Sequence, residues 1–206
     1  MSIVCFGEIL LRLSPPNGHR FGQTTTFEAV FGGSEANVAV ALAYWGASSS
    51  FISRVPNNDL GMAAIGALSR YGVQTQHVSF GGERLGIYFL EQGMGRRAGK
   101  VIYDRKHSGM DTLEPGQIDW EKAFEKATWF HWSGITAALS ASAASVLEEA
   151  LTIASKRQIT ISCDLNYRET LWKYGKTPQM VMPGLVAHCH VLLGDPTSFD
   201  VCLNVR

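Results

Sequence analysis

The sequence predicts an α/β fold, a parallel sheet covered by helices, with a small second sheet set apart from it. Three observations carry this. Short apolar runs alternate with Ala- and Leu-rich stretches in the first and last thirds of the chain, the pattern of strand–helix–strand units. The middle breaks that alternation with two strand-like runs, 86–91 and 100–105, joined by a Gly- and Arg-rich turn. The composition, 206 residues with 46% hydrophobic and 17% charged, supplies enough apolar surface for one domain over 1–206.

In chain order, Ser2 to Phe6 is an apolar run ending at Gly7, read as a buried first strand. Glu8 to Ser14 reads as extended until Pro15-Pro16-Asn17-Gly18, and Phe27 to Phe31 as another short strand. Gly32-Gly33 then opens an Ala-rich helix from Glu35 to Tyr44 that stops at Gly46. Ser50 to Val55 is a strand. Asn57 or Asn58 caps a helix from Asp59 to Arg70, with Leu60, Ala63, Ala64, Ala67 and Leu68 at helical spacing and Gly72 as its stop. The hairpin of 86–105 follows, and with 8–14 and 27–31 it is expected to form a lid.

Alternation then resumes. Asp119 caps a short helix through Lys126, and Thr128 to Trp132 is a strand. Ser140 caps a helix from Ala141 to Ser155 whose Val146, Leu147, Ala150, Leu151 and Ala154 share one face. Thr160 to Leu165 is a strand, Gln179 to Ala187 a helix, and Val191 to Leu193 a strand. Gly194-Asp195-Pro196 should begin another helix, and the chain stops at Arg206. A sheet that ends there leaves an edge to be covered.

Lys+Arg and Asp+Glu are both 18, so no basic excess drives binding to a phosphate backbone, and no nucleic-acid partner is expected. The longest apolar stretch, 36–47, falls short of the roughly 20 residues that cross a bilayer, so no membrane partner is expected either. The acid at Glu8 follows the start at once, unlike a secretory signal. Cys5, Cys163, Cys189 and Cys202 are widely spaced and read as reduced, strand-borne thiols of a cytoplasmic protein.

Several motifs have a bland reading. Gly93-Met94-Gly95-Arg96-Arg97-Ala98 matches a dinucleotide-binding pattern, but strand-like residues follow where a helix is required, so a turn is expected. His188-Cys189-His190 reads as ordinary residues leading into a buried strand, His131 reads likewise as an ordinary residue between Phe130 and Trp132, and no metal site is assigned. Gly32-Gly33-Ser34-Glu35-Ala36-Asn37 is more informative. Two glycines let a ligand approach the backbone just before a helix N-terminus. Asp164-Leu165-Asn166-Tyr167-Arg168 lies at the carboxyl end of a core strand, where parallel sheets bind ligands; Asp164, Asn166 and Arg168 would share a side if the strand continued. Tyr103-Asp104-Arg105 places a phenol and a guanidinium at the hairpin's end, with an exposed Asp104–Arg105 ion pair as the alternative.

Together these pieces resemble the ribokinase-like (PfkB) family of carbohydrate kinases. The motifs Gly32–Ala39, Gly86-Ile87-Tyr88-Phe89-Leu90-Glu91, Val101–Arg105, Ser133–Thr136 and Asp164–Arg168 with Leu171-Trp172 are most similar to its 2-keto-3-deoxygluconate kinases. The resemblance implies a three-layer core with a lid, lacking the family's C-terminal part. It implies ATP and Mg²⁺ as cofactors of the full-length enzyme and transfer of a phosphoryl group to the sugar acid's terminal hydroxyl. Substrate-lining positions are expected at Gly33, Asn37, Tyr88, Tyr103, Arg105, Ile135, Asn166 and Arg168. The catalytic base belongs to a Gly-Ala-Gly-Asp motif that this sequence does not contain, so no catalytic residue is assigned. Asp195 and Ser198 stand where the family has Asn-x-x-Glu, leaving Asp195 as a weak cofactor contact. A homodimer through the lid is also implied. Other readings are another sugar kinase of the family, an inactive sugar-acid-binding remnant, and a nicotinamide dehydrogenase, which the glycine turn opposes.

Overall fold

The computed structural model describes residues 1–205. The chain opens with β1 (Ser2–Phe6), β2 (Leu10–Ser14) and β3 (Glu28–Gly32), then α1 (Ser34–Tyr44), β4 (Ser48–Ile52), β5 (Arg54–Val55) and α2 (Asp59–Ser69). β6 (Ser79–Phe80), β7 (Ile87–Glu91) and β8 (Lys100–Asp104) follow. The remainder is α3 (Trp120–Ala123), β9 (Trp129–Ser133), α4 (Gly134–Leu139), α5 (Ala141–Lys156), β10 (Thr160–Asp164), α6 (Pro178–Val186), β11 (Val191–Leu193) and α7 (Pro196–Leu203).

Five strands pair in parallel in the order β11-β10-β9-β1-β4. Four others form the second sheet, β3-β2-β7-β8, in which only β2 and β7 run parallel. The period-two alternation of a strand explains how β1 serves two cores. Val4 and Phe6 enter one apolar cluster with α5 and the aromatic group Trp120, Phe124 and Phe130. Ile3 and Cys5 enter the other, with Ala36 and Ala39 of α1 and Ala64 and Leu68 of α2. The five residues expected to share a face of α5 are all fully buried.

Caps mark the helix starts. Asn58 accepts from the backbone N–H of Leu60 and Gly61, and Asp119 from that of Lys122. Ser140 closes α4 and, through its Oγ, caps α5 at Ala143 N. Gly46 and Gly72 take the left-handed conformation that ends α1 and α2.

Several expectations need correction. The run Ser50 to Val55 is not one strand: β4 ends at Ile52, and after Ser53 β5 pairs with β6 in a separate two-stranded sheet. The helix after Asp119 stops at Ala123 instead of Lys126. α4 was not expected; it has six residues, too few to show a helical period, and includes β-branched Ile135 and Thr136. Of the four free thiols, Cys5 and Cys163 lie on strands, but Cys202 is in α7 and Cys189 is in the turn before β11. The segment Gly93–Gly99 is a turn between β7 and β8, closed by a Met94–Arg97 bridge, with no helix after it.

Candidate functional site

Parallel strands end on one side of the sheet, and their carboxyl ends leave backbone groups and loops free to face a ligand. β1, β9 and β10 all end there, and the second sheet stands beside them. Between them lies a cavity of about 280 Å³ lined by Glu8, Leu10, Gly33, Ser34, Glu35, Asn37, Tyr88, Tyr103, Arg105, Ile135, Asn166 and Arg168. A hollow of similar size near Ser2, Ser48 and Lys126 lies at the opposite, amino ends of the strands.

All eight residues proposed from sequence as substrate-lining are among those walls. Each arrives by its own local route. Gly33 is the N-cap of α1 in an extended conformation. A Cβ there would stand 2.1 Å from the carbonyl oxygen of Glu8, so only glycine lets these two backbone segments meet. Asn37 follows one turn into α1. Tyr88 and Tyr103 are directly opposed across β7 and β8, with ring centroids 6.0 Å apart. Ile135 sits in the first turn of α4, where Ser133 Oγ accepts from its N–H. β10 does not continue past Asp164: Asn166 turns into the left-handed region at φ 38°, and Asp164 Oδ1 accepts its N–H. Asn166 Nδ2 then donates to Ser34 Oγ at 3.0 Å. Asp164 therefore serves the turn and is not part of the wall.

Two carboxylates that sequence reasoning did not assign organise the site. Glu8 receives Arg105 Nε at 2.7 Å and Nη2 at 2.6 Å on Oε2, and Ser108 Oγ at 2.5 Å on Oε1. The pair is almost wholly buried and ties the end of β1 to the segment leaving β8. Arg105 is therefore not a free cation, and the alternative pairing with Asp104 does not form: Asp104 binds Arg84 instead. Glu35, fully buried in α1, accepts Ser133 Oγ at 2.5 Å and Thr136 Oγ1 at 3.4 Å. A Cβ on Gly7 would stand 2.2 Å from Glu35 Oε2, so the strand end at Gly7 leaves room for this side chain. The sequence places Glu8 directly after Gly7 and Glu35 in the first turn of the helix that follows Gly32-Gly33.

Burial raises the Glu35 carboxyl above its ordinary range, against the opposing hydroxyl donors and the nearby Arg105. A raised carboxyl favours the protonated form in the folded state. Its contribution to stability is present at low pH and is lost as pH rises from the ordinary value through the folded one. Glu35→Gln is therefore expected to raise the melting temperature at pH 8 and leave it nearly unchanged at pH 4. Equal shifts at both pH values would show that Glu35 is ionised throughout.

Asp195 lies outside the cavity. It caps α7, with Oδ1 accepting Ser198 N at 3.0 Å and Oδ2 accepting Ser198 Oγ at 2.8 Å, and these bonds hold its carboxyl below the usual carboxylate range. Both oxygens are committed to the helix start. Among the described residues no group of three or more His, Cys, Asp or Glu is placed to hold a metal ion. His188 and His190 do not converge either: His188 Nδ1 meets Ser155 Oγ, and His190 Nδ1 accepts Ile161 N. No helix among the described residues is long and apolar enough to cross a membrane.

The pfkB family carbohydrate kinase profile matches residues 1–204. The chain is 37% identical over 170 residues to a 2-dehydro-3-deoxygalactonokinase of Haloferax volcanii, covering 82% of this chain and 53% of that protein. It is 31% identical to a 2-dehydro-3-deoxygluconokinase of Thermoproteus tenax, covering 100% of this chain and 63% of that one. The crystal structure of 2-dehydro-3-deoxygluconokinase from Thermotoga maritima superposes with a TM-score of 0.96 at 44% identity, over 100% of this chain and 63% of that one. The chain thus spans under two thirds of the length of these relatives. With its parallel core, its second sheet and its match over 1–204, the chain belongs to the pfkB family of carbohydrate kinases and has the ribokinase-like α/β fold.

Proposed function

We propose that this chain is the sugar-binding half of an ATP-dependent kinase for 2-keto-3-deoxygluconate (2-dehydro-3-deoxygluconate), phosphorylating its terminal hydroxyl. The observation that carries the reading is the convergence of Tyr88, Tyr103, Arg105, Asn166 and Arg168 on one cavity of a few hundred Å³ beside Gly33 and Asn37. Phenols offer flat apolar walls with a polar tip. Asn37 and Asn166 offer both donors and acceptors to sugar hydroxyls, and guanidinium groups favour an acid over a neutral sugar. The relatives named for 2-dehydro-3-deoxy sugar acids support the same substrate class. The test is calorimetric titration of the 206-residue chain with 2-keto-3-deoxygluconate, gluconate and fructose. The 2-keto-3-deoxy acid is expected to bind best. Equal or tighter binding of fructose would replace this reading with a neutral-sugar kinase.

Because Asp195 is committed to its helix cap and the sequence contains no Gly-Ala-Gly-Asp, the chain by itself is expected to bind the acid without consuming ATP. Phosphorylated product from the purified chain would overturn that part. Four thiols with no disulfide fit a cytoplasmic setting.

In the same proposal the second sheet acts as the lid and as a homodimer contact. Val30, Val101 and Ile102 are each more than two-fifths exposed on its outer strands, apolar surface that a partner copy would cover. Sedimentation should show a dimer that Ile102→Lys dissociates; a monomer at all concentrations would remove the contact.

A further inference from the structure

Most side chains around the cavity carry a polar atom, which suits the hydroxyl groups of a sugar. Leu10 and Ile135 are the only aliphatic ones among the described lining residues. A 2-keto-3-deoxy sugar acid has one carbon of matching character, the C3 methylene, where the parent 2-keto acid carries a hydroxyl. We propose that Leu10 and Ile135 seat that methylene and select the 3-deoxy acid against its 3-hydroxy counterpart. This rests on the sugar-acid reading above and deepens it, because it names the residues that tell two such acids apart.

A buried leucine ordinarily packs into a core. Leu10 is only 6% exposed, yet neither apolar cluster of the described residues includes it. The alternation of β2 explains this. Leu11 and Leu13 turn toward the cluster shared with α1 and α2, so Leu10 turns the other way, into the cavity wall. Gly86 makes room for it there. A Cβ at that glycine would stand 2.5 Å from Leu10 Cδ2 and 2.5 Å from Glu8 Oε1, so its bare backbone lets the leucine and the acid lie side by side. Ile135 repeats the pattern. It is half-buried and belongs to neither cluster, although Ala137 and Leu139 of the same short helix pack into one. One aliphatic side chain thus stands on the second sheet and the other on the helix that follows β9, and both are spent on the cavity alone.

A hydroxyl pressed against such carbon leaves its water partners and finds no replacement, which weakens binding. The neighbouring acids are already engaged. Glu8 accepts from Arg105 and Ser108, and Glu35 Oε1 accepts from Ser133 and Thr136. A methylene in the same place has no hydrogen bond to lose and gains apolar contact.

The test uses 2-keto-3-deoxygluconate and 2-ketogluconate, which differ only in the C3 hydroxyl. Both are titrated by ligand-detected NMR into the 206-residue chain, Leu10→Asn and Ile135→Asn, with melting curves to confirm folding. Asparagine is close to leucine in size and supplies a donor and an acceptor. The unaltered chain should favour the deoxy acid about 10- to 100-fold. Each variant should shrink that ratio by about threefold or more, through tighter binding of 2-ketogluconate. Ring–chain equilibria of the free acids are common to all three proteins and cancel when their ratios are compared. A ratio that persists in either folded variant, even with both acids weakened, would overturn the assignment for that residue. Should Leu10→Asn fail to fold, Ile135→Asn, at a half-buried position outside both clusters, decides the matter. A chain that binds both acids equally leaves the sugar-acid reading standing and overturns this inference alone; a chain that binds neither overturns both.

Discussion

Glu8→Ala should destabilise the protein by about 3–5 kcal/mol, the cost of leaving a buried charge without its partner. The expectation follows from geometry. Arg105 is 7% exposed and Glu8 4% exposed, and the carboxylate takes two guanidinium donors and the Ser108 hydroxyl. Truncation leaves three buried donors unsatisfied, among them a cation that cannot neutralise itself by losing a proton. Urea unfolding of the single variant and of Glu8→Leu/Arg105→Met separates two meanings of this loss. An apolar pair of similar size often restores stability, so the double variant should recover most of it while losing the guanidinium that lines the cavity. A single-variant loss below about 1 kcal/mol, the range of an exposed pair, would show that water reaches the site.

The second large effect is acid lability through His131. Its ring is 6% exposed on β9, with Nδ1 at 2.9 Å from Ser162 Oγ. The Trp129 indole, which can only donate, reaches the same hydroxyl at 2.7 Å, leaving the serine's own hydrogen for His131. Nε2 is buried without a partner. Burial pushes the imidazole down to about 4 from the ordinary 6.5. A lowered histidine binds its proton more readily when unfolded, so its contribution is present above 6.5 and is lost as pH falls toward the folded value. At about 1.4 kcal/mol per unit, roughly 3 kcal/mol should disappear between pH 7 and pH 4. His131→Phe keeps an apolar ring there and should flatten the acid limb of the melting-temperature profile. An unchanged limb would place the acid sensitivity elsewhere. Glu35 acts with the opposite sign, so the two groups bound a window of greatest stability from either side.

The parts of the fold that were legible in the sequence had strong periodicity behind them. The face of α5 from Val146 to Ala154 repeats at helical spacing, and the caps at Asn58, Asp119 and Ser140 are side chains whose hydrogen bonds act within three residues. β1 was readable because a strand buried on both faces is a short apolar run bounded by a glycine. What failed was context. Nothing local to Ser53 says that the chain leaves one sheet and joins another. α4 is too short for a period to register. In the site, Gly33, the tyrosines and Arg168 could be named because their motifs are specific as a set, and all are found around one cavity. Glu8 was passed over because an acid after a strand has no distinctive spacing, and its partner Arg105 lies 97 residues away in sequence. The charge state of a cavity depends on such distant pairs, so it is the property least readable from local pattern.

The two margins of the five-stranded sheet differ. On the β4 side, Gln74 bonds through its backbone to Phe51 N and Ser49 O, occupying donors and acceptors that would otherwise face outward. On the β11 side, Val191 and Leu193 lie exposed, and no strand among the described residues pairs beyond them. Strand addition to the five-stranded sheet is therefore confined to its β11 flank.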